Sequence, residues 1–198
     1  MSQFIETIRL EDGQFGNLSY HQQRIEVTVN ALFPGRDKMD LQFILFADTF
    51  PKQGLYKCRI TYDANGHLIQ YEPYTIRPVI SLKRIVMNEL SYRYKFADRN
   101  ELKTVFAQRG QCDDILIIKN GLVTDTSYAN IAFKNEEGQW VTPSSYLLKG
   151  TMRQYLLDSG QIKEQQILSA DLSSFKKFKL INSMLRWDSE ERDVSNIV

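Results

Sequence analysis

Apolar and polar residues alternate almost from the start of the chain. In FIETIRL (4–10) the alternation around Glu6 and Arg9 predicts a strand, and Glu11-Asp12-Gly13 predicts the turn that ends it. From Ser19 to Phe33 the period lengthens. Tyr20, Ile25, Val29 and Leu32 fall near helical spacing, Ser19 is placed to cap the helix, and Pro34-Gly35 stops it. The apolar run Leu41–Ala47 is compatible with either element type. Two alternating runs then flank Asn65-Gly66 in GLYKCRITYDANGHLIQYEPY, the pattern of a hairpin.

Pro73 and Pro78 mark an extended connection through IRPVISLKRI, after which the texture of the sequence changes. A domain boundary is expected between Lys83 and Glu89, with a small α+β domain over 1–86 and a larger one over 87–198. Asp98 is placed to cap a helix running to Gln108, with Glu101 at the capping-box position and Gly110 just past the end. ILIIKNG, VTDTSYANIAF and QWVTP read as three short strands joined by tight turns. Gly150 precedes a helix, TMRQYLLDSG, closed by Gly160, and FKLINSMLRW reads as a buried strand running into a loop.

Composition narrows the class of protein. With 198 residues, 42% hydrophobic and 25% charged, the chain can bury a core. Its 10 Tyr and 11 Phe predict that much of this core is aromatic. Lys and Arg total 25 against 24 Asp and Glu, so a net charge of +1 supplies no bulk attraction to nucleic acid or an anionic membrane. The 2 cysteines, Cys58 and Cys112, do not make a disulfide framework, and His21 and His67 are not at metal-ligand spacing, so no metal is expected. The polar, acidic start and the lack of a long apolar run predict a cytoplasmic protein.

Lys95 is the residue with the most chemical promise. It lies in Tyr92-Arg93-Tyr94-Lys95-Phe96, where desolvation by aromatic neighbours and the nearby cations Arg93 and Arg99 would turn an amine into a nucleophile. Pattern alone favours a plainer position, on the solvent side of an alternating strand. Gly150-Thr151 opens a helix whose N-terminal N–H groups suit a phosphate, although an ordinary N-cap is commoner. Asp125, in VTDTSYAN, could face a protonated ring nitrogen or be a turn residue, and Arg24 on the first helix could bind an anion or face solvent. Together they supply an amine, a phosphate cradle and an anion for a cationic ring, the set that pyridoxal 5'-phosphate requires.

These segments resemble the class IV aminotransferases, the fold-type IV pyridoxal-phosphate enzymes. ETIRLEDG followed by HQQRI resembles the family's N-terminal strand and His-x-x-Arg helix, and YKFADR its cofactor-lysine segment. NGLVTDTSYANIAF, LLKGTMRQYLL and KLINSM resemble its acidic strand, phosphate-binding helix start and last strand. The resemblance implies a D-amino acid aminotransferase-like two-domain α+β fold, N-terminally shortened, with the cofactor between the domains and the larger domain as its main holder. It implies a small-molecule substrate and a homodimer. By the same resemblance Lys95 holds the cofactor as a Schiff base and moves protons at the substrate. Arg24, Thr151 and Ser183 bind its phosphate, and Asp125 faces the ring nitrogen where the family usually has Glu. Arg9, Tyr92, Tyr94 and Arg99 are candidates for contacts to substrate or cofactor. GTMRQYLL and the Lys95–Arg99 spacing look most like aminodeoxychorismate lyase. An aminotransferase of the branched-chain or D-amino acid type and a non-catalytic metabolite-binding relative are the alternatives.

Overall fold

The alternation at the N-terminus folds as read. In the computed structural model, which describes residues 2–36 and 38–198, it forms β1 (Phe4–Glu11). Asp12 and Gly13, with φ of 48° and 78°, return the chain into β2 (Gln14–Phe15). Two positive φ values in a two-residue loop match the right-handed twist of the flanking strands, which is why Asp-Gly serves here.

The helix α1 (Leu18–Leu32) begins one residue before the expected cap. Asn17, in the left-handed region with φ 52°, holds the cap position, and its side chain does not cap the helix N–H groups. The ambiguous run is helix α2 (Leu41–Phe46), and its N-cap Asp40 accepts from the Phe43 N–H at 2.9 Å. β3 (Leu55–Tyr62) and β4 (His67–Pro73) form the expected hairpin. Its turn is not the two-residue Asn-Gly type, since neither Asn65 nor Gly66 has positive φ. Asp63 instead holds the turn, accepting from the N–H groups of Asn65 and Gly66. The sheet order is β2-β1-β3-β4, with β1 and β3 antiparallel from Phe4↔Tyr62 to Glu11↔Leu55.

The chain divides into two compact units, and the division differs from the sequence boundary near residue 86. The first unit ends at Ile76 but regains Tyr94–Asp98; the second is Arg77–Arg93 with Arg99–Val198. Backbone pairing explains both shifts. β5 (Leu82–Val86) pairs in parallel with β6 (Asp114–Lys119), so it belongs to the later part of the chain. Tyr94–Asp98 lies along the edge of β1: Ile5 N–H donates to Lys95 O at 2.9 Å, Ala97 N–H to Gln3 O at 2.8 Å, and Phe96 bridges Phe4.

The core of the first unit packs α1 and α2 on the sheet. Phe4, Ile8 and Leu10 from alternate positions of β1 meet Ile25 and Val29 from α1, and Leu41 and Leu45 from α2.

In the second unit, β7 (Leu122–Thr126) completes a three-stranded sheet, β5-β6-β7. The stretch read as one strand, VTDTSYANIAF, is in fact two, because a tight turn at Ser127–Ala129 separates β7 from β8 (Asn130–Lys134). β8 is central in a five-stranded sheet with β9 (Trp140–Pro143), β10 (Lys163–Gln165), β11 (Lys177–Ile181) and β12 (Arg192–Asp193), in the order β10-β9-β8-β11-β12. Helix α3 (Asn100–Phe106) starts after Arg99, not at Asp98, and α4 (Thr151–Asp158) starts after Gly150 as read. No helix among the described residues is long and apolar enough to cross a membrane.

Candidate active site

The sequence-predicted residues fall into two sets, one in each unit. The first set contains Lys95, Arg24, Arg9 and Tyr94. Lys95 is not on a strand facing solvent. It is half-buried at the centre of a turn closed by Phe96 N–H to Tyr94 O at 3.0 Å, the three-residue bond of a γ-turn. Phe96 on one side of it and Tyr94 on the other pack on Phe4, with ring centroids 4.9 and 6.3 Å away. The amine therefore starts from a backbone fixed by two anchored aromatics and by β1.

Arg24 lies with Glu6 and His21 in a cluster that no local pattern announces. Glu6 shares the core-facing parity of β1 with Phe4, Ile8 and Leu10, and His21 and Arg24 are one helical turn apart on α1. Arg24 donates from Nε to Glu6 Oε1 at 2.8 Å and from Nη2 to Oε2 at 2.5 Å, a side-on fork, while His21 Nδ1 lies 2.6 Å from Oε2. Burial alone would push the Glu6 carboxyl up, but the Arg24 charge and hydrogen bonds, with those of His21, outweigh it and bring it down to about 2. His21 is held below its usual value by burial, against the pull of Glu6, with the Arg24 and Lys95 charges adding to the effect. The one sequence signal for this cluster is a carboxylate at a core parity of a strand. Arg9 pairs with Glu11, two residues along β1, through contacts of 3.0 and 3.2 Å.

The second set contains Asp125, Thr151, Ser183, Tyr92 and Arg99. Asp125 is buried near the end of β7. Its Oδ1 accepts from Asn130 Nδ2 at 2.8 Å, and its Oδ2 from the N–H groups of Leu147 and Leu148 at 3.0 and 2.9 Å. Burial raises this carboxyl to about 6 despite the Leu148, Asn130 and Leu147 bonds and the charge of Arg153. Asn130 also donates to Leu148 O at 2.9 Å. It is the residue on which this region converges. Its backbone pairs with Ile181 on β11, two residues before Ser183, and its Oδ1 would lie 1.9 Å from a Cβ at Gly150. Gly150 is therefore required not for its φ of −71° but for space, and Thr151, which is buried, opens α4 next to it.

Ser183 is half-buried in the turn after β11, where Asn182 Oδ1 accepts from the N–H groups of Met184 and Leu185. Arg99 donates to Ser127 O at 2.5 Å. Tyr92 packs beside Ile85, Leu90 and Leu102. Asn130 and Arg153 lie in segments that resemble the family's but received no site role from the sequence, because their roles come from partners five or more residues away.

Comparison with known proteins gives this arrangement its class. The chain matches the family model for amino-transferase class IV over residues 3–188. It is 37% identical over 187 residues to an uncharacterized protein of Haemophilus influenzae, covering 93% of this chain and 98% of that one. A crystal structure from Haemophilus somnus 129PT, described as a "putative 4-amino-4-deoxychorismate lyase", is 35% identical with a TM-score of 0.87, covering 93% of this chain and 97% of that one. With a Mesorhizobium loti protein described as a "putative amino-acid aminotransferase" the chain shares the fold, at 21% identity and a TM-score of 0.84 over 100% of both. The protein is thus an enzyme of a pyridoxal-phosphate-dependent kind. It belongs to the class IV aminotransferase family and has that family's mixed α/β fold.

Proposed function

We propose that this protein is a lyase that converts 4-amino-4-deoxychorismate to 4-aminobenzoate and pyruvate, using pyridoxal phosphate. The observation that carries the cofactor reading is Asp125. A buried carboxylate raised to about 6 despite three hydrogen bonds and the charge of Arg153 is an incomplete electrostatic arrangement. It can accept about one further bond, on Oδ1, and a protonated ring nitrogen supplies both that bond and the missing positive charge. The choice of lyase is supported by the Haemophilus somnus relative and by the GTMRQ and YKFADR segments.

Pyridoxal phosphate, when bound, supplies an electron sink that allows a C–H bond beside nitrogen to break. Asp125 keeps the ring nitrogen protonated. Arg24, whose guanidinium plane Glu6 fixes, and separately Thr151 and Ser183 are the residues that would hold the phosphate. Lys95 Nζ would hold the cofactor before substrate binds, and as the free amine afterwards it would take the proton from C4 of the substrate, the carbon that bears nitrogen. Breaking the C3–O bond then makes the ring aromatic, and the departing enolpyruvyl group gains a proton at its methylene carbon to become pyruvate. Arg9, Tyr92, Tyr94 and Arg99 are proposed to shape the substrate contacts. The likeness to the family supports a homodimer in the cytoplasm, and sedimentation analysis tests the dimer.

The family model itself favours a second reading, an amino acid aminotransferase. Two assays separate the two. The lyase produces 4-aminobenzoate and pyruvate in equal amounts from 4-amino-4-deoxychorismate without a keto acid. Amine transfer from amino acids to 2-oxoglutarate or pyruvate, with no aminobenzoate formed, overturns the lyase.

A further inference from the structure

Arg153 lies in the first turn of α4 and has no part in the chemistry described above, yet it is 1% exposed. Its guanidinium lies over the ring of Tyr146, 4.3 Å from the centroid, and its Nη2 donates to Pro143 O at 2.9 Å and to Glu164 on β10 at 2.6 Å. Pro143 ends β9, and Tyr146 belongs to the stretch between β9 and α4, which also contains Leu147 and Leu148. That stretch is fixed elsewhere by Ser144 N–H to Gln165 O and by Ser145 Oγ to Val123 O on β7. Arg153 is the buried cation that touches this stretch, and a planar cation that stacks and forks at once holds three elements in one geometry.

We propose that Arg153 is a positioning residue for Asp125: by gripping Tyr146 and Pro143 it holds the connection that presents the N–H groups of Leu147 and Leu148 to the carboxylate. The proposal rests on the reading of Asp125 as the ring-nitrogen partner for its functional meaning. The grip itself is a property of the protein without cofactor. Arg153 acts twice on the carboxylate, through the two amides it holds in place and through its own charge. The other group acting there is Asn130.

The test uses cofactor-free protein and compares wild type, Arg153→Met and Tyr146→Leu by NMR. In Arg153→Met, amide exchange at Leu147 and Leu148 is expected to rise by roughly tenfold or more, with Ile8 in the first unit unchanged. The Asp125 carboxyl midpoint is expected to move upward from about 6, because it loses two donors and a cation together. Tyr146→Leu keeps the charge and removes the ring, so it should accelerate the same two amides with a smaller movement of the midpoint. It also covers the case in which Arg153→Met does not fold. Unchanged exchange at both amides, or a midpoint that stays or falls, overturns the proposal. Asp125→Asn separates the two claims. If that variant keeps full cofactor affinity and turnover, the ring-nitrogen reading fails while the exchange result still decides the role of Arg153.

Discussion

Replacing Gly150 by Ala separates two accounts of a helix start. Gly150 has φ −71° and ψ 140°, a backbone that any residue adopts. On backbone grounds alone Ala would stabilise the protein by about 0.4–1 kcal/mol, by restricting the unfolded chain. The structure predicts the opposite sign. The new Cβ would lie 1.9 Å from Asn130 Oδ1 and 3.1 Å from Asn130 Cγ, so the amide must turn away. Turning it breaks the Asn130 bonds to Asp125 (2.8 Å) and Leu148 O (2.9 Å). A bond to a carboxylate and a neutral bond together amount to about 3 kcal/mol, or a fall in Tm of roughly 6–12 °C for a chain of this size. Urea unfolding of Gly150→Ala in wild-type and Asn130→Ala backgrounds measures this directly. In the second background the colliding oxygen is gone, and the cost of Gly150→Ala should shrink to below about 0.5 kcal/mol. A cost in the wild-type background within about 0.5 kcal/mol of zero, or the same cost in both backgrounds, refutes the reasoning.

Three further outcomes follow from the buried charges. Asp125 has its folded value raised from 3.8 to about 6, so cofactor-free protein binds more protons folded than unfolded in that window and loses about 3 kcal/mol as pH rises through it; Asp125→Asn removes that dependence in urea titrations at stepped pH. Glu6 has its value lowered from 4.5 to about 2, so its contribution is present above 4.5 and is lost as pH falls toward 2. Glu6→Gln should remove that acid-side loss and, by leaving the Arg24 cation poorly paired, cost about 3–5 kcal/mol at neutral pH by the same unfolding assay.

The pattern of the chain was legible where structure depends on neighbours in sequence. The strand at Phe4–Glu11, the Asp12-Gly13 turn and the first helix follow from local period and turn chemistry, and the hairpin strands follow from alternation, although Asp63 and not Asn65-Gly66 sets the turn between them. It was illegible where partners are distant. The strand parity of Glu6 is visible, but its fork with Arg24 spans 18 residues, and no window contains both. The segment around Lys95 looked like an alternating strand because Tyr94 and Phe96 are both turned inward. A γ-turn paired at one edge with β1 produces the same alternation over three residues. The compact units divide the chain differently from its sequence texture for the same reason: the pairing of β5 with β6 joins residues about thirty apart. Gly150 reads in sequence as a cap residue, whereas its necessity comes from Asn130, twenty positions earlier and on another strand.

The central claim is that Lys95 carries pyridoxal phosphate. Purified protein incubated with pyridoxal phosphate, reduced with borohydride and digested should show the pyridoxyl label on the peptide that contains Lys95, together with a near-visible absorption band before reduction. Lys95→Ala should lose both the band and turnover, with unfolding unchanged. A label scattered over surface lysines, or an undiminished band in the Lys95→Ala protein, contradicts the account.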